Sequence, residues 1–392
     1  MSTYFPRALH TASPDTRVIV LVSDVEMGPP GPEDDFPHDA YLAELFEAYT
    51  RPPYDGLHVD LVLNGDILDF LKTPTSTGYS RHVTADMALE KLDVILDGHP
   101  AFIEGLRAFG THESGTKHIH FLPGNHDPEM LFPEVAQRLK ELLKGCANVR
   151  VHGLTCRIGP VHIEHGHQYD RMFRMDPNQY FVPYRGDSIL LLPWGSCALL
   201  DVVMPLKHLF YHYDRLRPKT RVLERLPQLE ELLLGAFKRY WMREYIWDAL
   251  TQFDDPTRNI SWDMIKDIVY RLVSSNTDVS MEDEPIIAML SREPELQAVC
   301  FGHLHVPAWR MIEQQHIVRT GCMRDEYLVD PYTDELHHLP KSWGEVILQG
   351  NAVRQVRVFH AQGPARPAGS YPEDPFVLSP EMEQVWLDLK EG

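Results

Sequence analysis

Residues 119–127 read Ile119-His120-Phe121-Leu122-Pro123-Gly124-Asn125-His126-Asp127. A mostly apolar run stops at Pro-Gly, and three side chains able to bind a metal or move a proton follow at once. Short runs of this kind, bounded by turn residues, read as buried strands, here His118 to Leu122. The same pattern recurs four times. Val18 to Val22 leads into Ser23-Asp24-Val25-Glu26, and Val59 to Leu63 into Asn64-Gly65-Asp66. Val161 to Ile163 leads into Glu164-His165-Gly166-His167, and Ala298 to Cys300 into Phe301-Gly302-His303-Leu304-His305. In an open α/β sheet the ligand crevice lies outside the carboxyl ends of the strands. Five strands would therefore deliver carboxylates, an amide and imidazoles to one rim.

Outward from these clusters, the chain alternates strands with amphipathic stretches. Tyr41, Leu42, Leu45, Phe46 and Tyr49 recur at helical spacing within Asp39 to Tyr49. Ala85 to Phe109 and Glu129 to Lys144 read as two further helices, and Ile317 to Thr320 as another strand. Glu345 to Leu348 and Val353 to Phe359 flank Gly350-Asn351, a hairpin signal. The alternation predicts an α/β fold with β-rich additions towards the end. Residues 171–296 differ: they read as a mostly helical inserted cap, with a long amphipathic helix over Leu229 to Phe253. Ser188 to Leu206 is the most apolar window, but Pro193, Gly195, Asp201 and Pro205 interrupt it, which argues against a bilayer span. It is expected to be a buried cap helix, the alternative being a greasy face for substrate or a membrane surface. The domains then divide as a discontinuous core of 1–170 and 297–360, a cap of 171–296, and a proline-rich extended tail of 361–392.

The composition narrows the function. The chain has 392 residues, 37 Lys plus Arg against 57 Asp plus Glu, and a formal charge of −20. That balance argues against general nucleic-acid binding, although Arg215 to Arg225 concentrates basic residues. Hydrophobic residues at 43% support a folded core. Five cysteines exclude a disulfide-rich secreted domain. Met1 to Arg17 contains no apolar signal region, so the expected location is cytoplasmic, with peripheral contact at the inner membrane face if the cap is greasy. There is no Walker loop and no Gly-x-Ser-x-Gly elbow. Cys300 reads as packing, and Cys322 as a residue near the rim.

The donor set is hard oxygen plus imidazole, which suits Mn²⁺, Fe, Zn²⁺ or Mg²⁺. Two such cations about 3.5–4 Å apart can clamp a phosphoryl group. Asp-x-Glu and His-x-His, if extended, would point both members of each pair at one site.

The five clusters, in this order, resemble the calcineurin-like metallophosphoesterase superfamily. The resemblance covers about Val18 to His167 and Ala298 to Thr320. It implies a four-layer αββα sandwich holding two divalent metal ions, Mn²⁺ being favoured and Fe, Zn²⁺ or Mg²⁺ the alternatives. By position, Asp24, Asp66 and His305 would hold the first metal, and Asp66, Asn125, His165 and His303 the second. His126 would be the catalytic histidine, oriented by Asp127. The family usually has His two residues after the first Asp. Glu26 stands there instead and would make the first position harder and more negative. His167, Arg171 and Arg174 are candidates for substrate contact, and Asp69 for orienting a ligand. The implied reaction is hydrolysis of a phosphate ester or diphosphate, with a metal-bridging hydroxide as nucleophile. The helical insertion also resembles the layout of UDP-2,3-diacylglucosamine hydrolases, which implies a phosphorylated small-molecule, lipid-linked or nucleotide-sugar substrate. The rival readings are a catalytically weak scaffold that binds a protein, and a nuclease or cyclic-nucleotide phosphodiesterase. The sequence leaves oligomeric state open.

Overall fold

The structure, a computed structural model, describes residues 15–207, 213–240, 251, 254–258, 266 and 283–365. The first strands are β1 (Thr16–Val22), β2 (His58–Asn64), β3 (Thr116–Leu122) and β4 (Val149–Val151). They run parallel to one another. Strand Lys341–Gln349 pairs antiparallel with β1, and Ala352–Ala361 pairs antiparallel with it, closing a six-stranded sheet. The hairpin foreseen around Gly350 is therefore longer than its apolar core, and it carries a register shift at Ile347/Leu348.

The second sheet has five strands. β5 (Thr155–Ile158) and β6 (Val161–Glu164) form a hairpin, and Ala298–Phe301 lies parallel to β6. Gln315–Arg319 and Ala308–Ile312 complete it.

Because side chains alternate along a strand, each sheet has two faces to bury. Ile19, Leu21, Val62 and Leu122 meet Ile158, Ile163, Cys300 and Val318 between the sheets. The opposite face of the first sheet, with Val18, Val20, Leu61 and Phe121, packs on α1 (Asp39–Ala48), α2 (Ala85–Gly98), α3 (Pro100–Gly110) and α4 (Pro133–Leu142). Outside the second sheet, Ile286 and Leu290 of helix Asp283–Arg292 cover Val299, Phe301 and Ile317. The result is the expected αββα order. The apolar run of β1 lacks polar alternation because both of its faces are covered, whereas β2 is interrupted by the buried Asp60.

Two helix expectations need correction. The single helix read over Ala85 to Phe109 is two helices, broken at His99. Pro100 has no amide hydrogen and disfavours helical backbone at the residue before it, so the chain turns there. For the same reason Pro133 starts α4 afresh after a short 3₁₀ turn at Pro128–Leu131.

In the insertion, Ser188 to Leu206 is not one helix. It opens as strand Asp187–Leu190 and continues as short helical turns from Trp194 to Leu206. The helix foreseen over Leu229 to Phe253 is described as Pro227–Arg239; residues 241–250, 252 and 253 lie outside the described residues. So do 1–14 and, of the tail, 366–392. Among the described residues, no helix is long and apolar enough to cross a membrane.

Candidate metal centre

The clusters do converge, but not on extended backbone. Asp24, Glu26, Asp66, His303 and His305 all have positive φ, between 50° and 70°. Eight non-glycine residues do so among the described ones, and five of them are these. Left-handed backbone costs a residue with a Cβ about 1 kcal/mol or more, so its concentration here marks a place where position outweighs local ease. The x-residues of Asp-x-Glu and His-x-His therefore do not make a regular strand. Each pair turns inward through two left-handed residues.

The loops lock to one another. Asp24 N–H donates to Gly65 O, and Glu26 N–H to Asp66 O. The Asp24 carboxylate accepts from the His303 amide at 3.0 Å, and Asp66 Oδ1 from the His126 amide at 2.8 Å. Glycines make this approach feasible. A Cβ on Gly124 would sit 2.2 Å from Asp66 Oδ1, and one on Gly65, itself at φ +78°, would sit 2.6 Å from the His165 ring. Carboxylates and imidazoles are thus brought closer than side chains on both partners would allow.

Distances between donor atoms describe one continuous centre. His165 Nε2 lies 3.0 Å from Asp66 Oδ2 and 3.9 Å from Asp24 Oδ1. His305 Nε2 lies 3.3 Å from the same Asp24 oxygen and 3.4 Å from Glu26 Oε1. Asp66, His165 and His303 offer donor atoms within 4.8 Å of one another. Glu26 Oε1 and Asn125 Oδ1 are buried with no hydrogen-bond partner, and the buried His165 Nε2 and His303 Nε2 face carboxylates, Asp66 at 3.0 Å and Asp170 at 3.5 Å. Buried carboxylates and imidazoles crowded in this way are costly on their own, and the set fits divalent cations. The imidazoles are turned the right way by their far nitrogens. His165 Nδ1 faces Asn64 O at 2.9 Å, and His305 Nδ1 faces the Glu326 carboxylate at 2.8 Å. A carboxylate behind a histidine fixes the ring and raises its basicity as a ligand.

The charges are strongly coupled. Burial works against the imidazolium of His165, but Asp66 and Asp24 overcome it and raise the pKa to about 9. His305 is raised to about 9 against burial by Glu326 and Asp24. These rings hold protons that cations would displace, so metal uptake should release protons.

The profile of the calcineurin-like phosphoesterase family matches residues 17–307. The chain belongs to this family. The family is one of phosphoesterases. No curated protein matches it in sequence. Among solved structures, it is similar to a putative 5'-nucleotidase from Staphylococcus aureus, at 12% identity and a TM-score of 0.34. That likeness covers 96% of this chain and 58% of the other, so the chain spans little more than half of that protein. A predicted phosphoesterase from Streptococcus pneumoniae is similar at 10% identity and a TM-score of 0.25, over 88% of this chain and 98% of that one.

Several residues sit differently from the family-based expectation. His126 Nδ1 is held by Asp69 at 3.1 Å, not by Asp127. The Asp127 carboxylate instead accepts the backbone amides of Asp66, Ile67, Leu68 and Gly124, gathering two loops. Burial and the nearby Asp66 charge push its pKa up to about 7, although the amides favour the charged form. His126 is raised to about 10, because Asp69, Glu26 and Asp66 outweigh burial. His167 is only 1% exposed, with its ring 5.6 Å from that of His165. It is as buried as His165 and His303, and neither of its ring nitrogens has a hydrogen-bond partner. Arg171 and Arg174 are exposed, and Arg174 Nε donates to Gln168 O.

Glu26 has the most unusual surroundings. Its Oε2 accepts from Lys72 and Arg324, both buried, while Oε1 faces His305. Lys72 also pairs with Asp35, Asp69 and Asp214, and Arg324 with Asp35 and Asp214. Burial raises the cost of the Glu26 charge, but Arg324 and Lys72 hold its carboxyl well below the usual range. Sequence reasoning missed Lys72, Arg324, Glu326 and Arg217, which donates to Glu326 at 2.7 Å. The available signal was position. Lys72 lies six residues after Asp66, and Arg324 and Glu326 follow the turn after strand Gln315–Arg319. Cys322 does come near, grouped with His305 and Glu326.

Proposed function

We propose that the chain hydrolyses phosphate esters or diphosphates at a two-metal centre. The supporting observation is the crowding of largely buried donor atoms of Glu26, His165, His303 and His305 around the Asp24 and Asp66 carboxylates. Asp24, Glu26, Asp66 and His305 would hold one cation, and Asp66, Asn125, His165 and His303 the other. When bound, such cations supply Lewis acidity at the phosphoryl oxygens and lower the pKa of water. The protein supplies the rest. His126, largely buried with 16% of its side chain exposed and held as imidazolium by Asp69, donates a proton to the leaving oxygen. Arg217 and Glu326 fix the His305 ring from behind.

The test is turnover of bis-p-nitrophenyl phosphate and p-nitrophenyl phosphate by chelator-stripped protein reloaded with Mn²⁺, alongside metal analysis. His126→Asn should keep its metal and lose about 10²–10⁴-fold in turnover. Full activity in that variant would remove His126 from the proton-donating role, and no activity in the native chain with any divalent ion would leave the scaffold reading. Because Glu26 adds a hard oxygen, Mn²⁺ or Mg²⁺ is proposed over Zn²⁺ at its position. Glu26→Ala should lose one ion of two, and an unchanged metal content would remove Glu26 from the ligand set.

A lipid-linked or nucleotide-sugar diphosphate is the finer reading of the substrate. Val306, Trp309 and Met311, exposed immediately after His305, favour a substrate with an apolar part. Acylated substrates should then be turned over with a KM at least tenfold below that of their deacylated forms. Equal values would remove the apolar part from recognition.

A further inference from the structure

At the opposite end of the same strands, the space between the sheets is not apolar. His58 and Asp60 on β2, His118 and His120 on β3, His152 after β4 and Cys156 on β5 gather there beside a cavity of about 460 Å³. Asp60 and Asp66 are six residues apart along the chain, which puts this cluster roughly 20 Å from the metal centre. We propose that His120, His152 and Cys156 form a separate binding site for Zn²⁺ or a similar thiophilic divalent cation, linking the two sheets.

The geometry carries the assignment. His120 Nδ1 and His152 Nε2 face each other at 2.9 Å, and Cys156 Sγ lies with both in one group whose donor atoms are all within 4.8 Å. Nitrogens bound to one tetrahedral Zn²⁺ are about 3.3 Å apart, so a small opening of this pair admits the ion. As it stands, one ring donates its single N–H proton to the other, and the cation would take that proton's place. Two imidazoles and a thiolate are a donor set that selects Zn²⁺ over Mg²⁺ or Ca²⁺.

The surroundings add a second argument. The far nitrogen of His120, Nε2, is held by Asp60 Oδ1 at 3.0 Å. Asp60 is itself fixed by Arg17, whose Nε and a terminal nitrogen donate to its two oxygens at 2.5 and 2.8 Å. A carboxylate that orients a histidine from behind is the usual support of a zinc ligand. The same grip makes Asp60 itself a poor ligand, which disfavours the neighbouring group of His58, Asp60 and His118. His120 and Cys156 are buried, and the cavity leaves room for a fourth, exchangeable ligand. Burial and then the Asp60 charge push the Cys156 thiol up to about 11, and a bound cation would offset that penalty by taking the thiolate.

The experiment uses the full chain, stripped and then reloaded with limiting Zn²⁺ or Co²⁺ in the presence of a weak chelator. The expected result is one equivalent of metal lost in both Cys156→Ser and His152→Gln, and none lost in Cys146→Ser. A thiolate-to-cobalt charge-transfer band should vanish in Cys156→Ser and persist in Cys322→Ser, which separates this site from the phosphoesterase centre. Hydrolytic activity should survive in Cys156→Ser and His152→Gln. Unchanged stoichiometry in both variants would overturn the site. Arg150 also lines the cavity, and thermal protection by inorganic phosphate that depends on it, without metal retention, would overturn the site in favour of an anion pocket.

Discussion

His126 shows how one residue's chemistry is set by a neighbour the motif does not contain. Gly-Asn-His-Asp suggests that Asp127 serves His126, yet the imidazole turns to Asp69, three residues beyond Asp66. An opposite charge within hydrogen-bond reach of an imidazole raises its pKa by about 1–3 units. Asp69, Glu26 and Asp66 together do this for His126. The proton-donating form is therefore present below the raised pKa and is lost as pH climbs through it. Asp69→Asn should move the alkaline limb of the kcat profile to lower pH by about one unit or more, with KM little changed. An unmoved limb would show that another group donates the proton. That Asp69 was legible as an orienting residue, but not which ring it orients, has a physical cause. Spacing along a chain fixes the loop a side chain belongs to, whereas its partner depends on left-handed turns that no local pattern announces.

The elements explain why the site was readable at all. Strands β1, β2, β3 and β6 bury apolar residues at their carboxyl ends, Val18–Val22, Leu61–Leu63, Phe121–Leu122 and Ile163, and each run ends where the chain leaves the core. The first polar residues after such a run must lie at the sheet's edge. That is why Asp24, Asp66, Asn125, His165 and His303 could be placed without a structure. Helix boundaries were less legible at α2 and α3, because amphipathic spacing runs on through His99 while Pro100 breaks the backbone. At this scale Asp127 is a loop-gathering residue. Its two oxygens accept four backbone amides from the loops that carry Asp66 and His126. Asp127→Asn would set an amide group against some of those N–H donors. The expected outcome is weakened metal binding together with a stability loss of about 1–3 kcal/mol. His126→Asn should show neither, so titration of metal affinity across the two variants separates the roles. Equal metal affinity in Asp127→Asn and the native chain would contradict the assignment.

At the scale of the molecule, Asp214 and Arg215 fasten their segment to the loops around Asp35, Lys72 and Arg324 by charge. Arg215, fully buried, pairs with Asp35 and donates to the carbonyls of Pro32 and Asp34. Asp214 meets Lys72 and Arg324, the same two cations that hold Glu26. The basic run from Arg215 to Arg225, read from sequence as the one hint of a nucleic-acid groove, is thus largely spent on carboxylates: Lys219 pairs with Asp214, and Arg221 and Arg225 with Asp334. Composition could not reveal this, since a net charge says nothing of which charges are paired inside. The arrangement puts Glu26 in electrostatic contact with the insertion through two shared cations. Arg215→Met should leave Asp35 buried with less compensation and cost about 3–5 kcal/mol, the usual penalty for breaking a buried pair. Because Asp35 shares Lys72 and Arg324 with Glu26, the change should also draw those cations away from Glu26. Its carboxylate would then be freer to bind metal at the first position. Denaturant unfolding with excess Mn²⁺ and without it checks both parts: lower stability in the absence of metal, and a larger gain on adding Mn²⁺ than the native chain shows. A variant as stable as the native chain would mean that apolar packing alone holds the insertion. An equal gain from Mn²⁺ would mean that the insertion and the metal centre are not coupled through these charges.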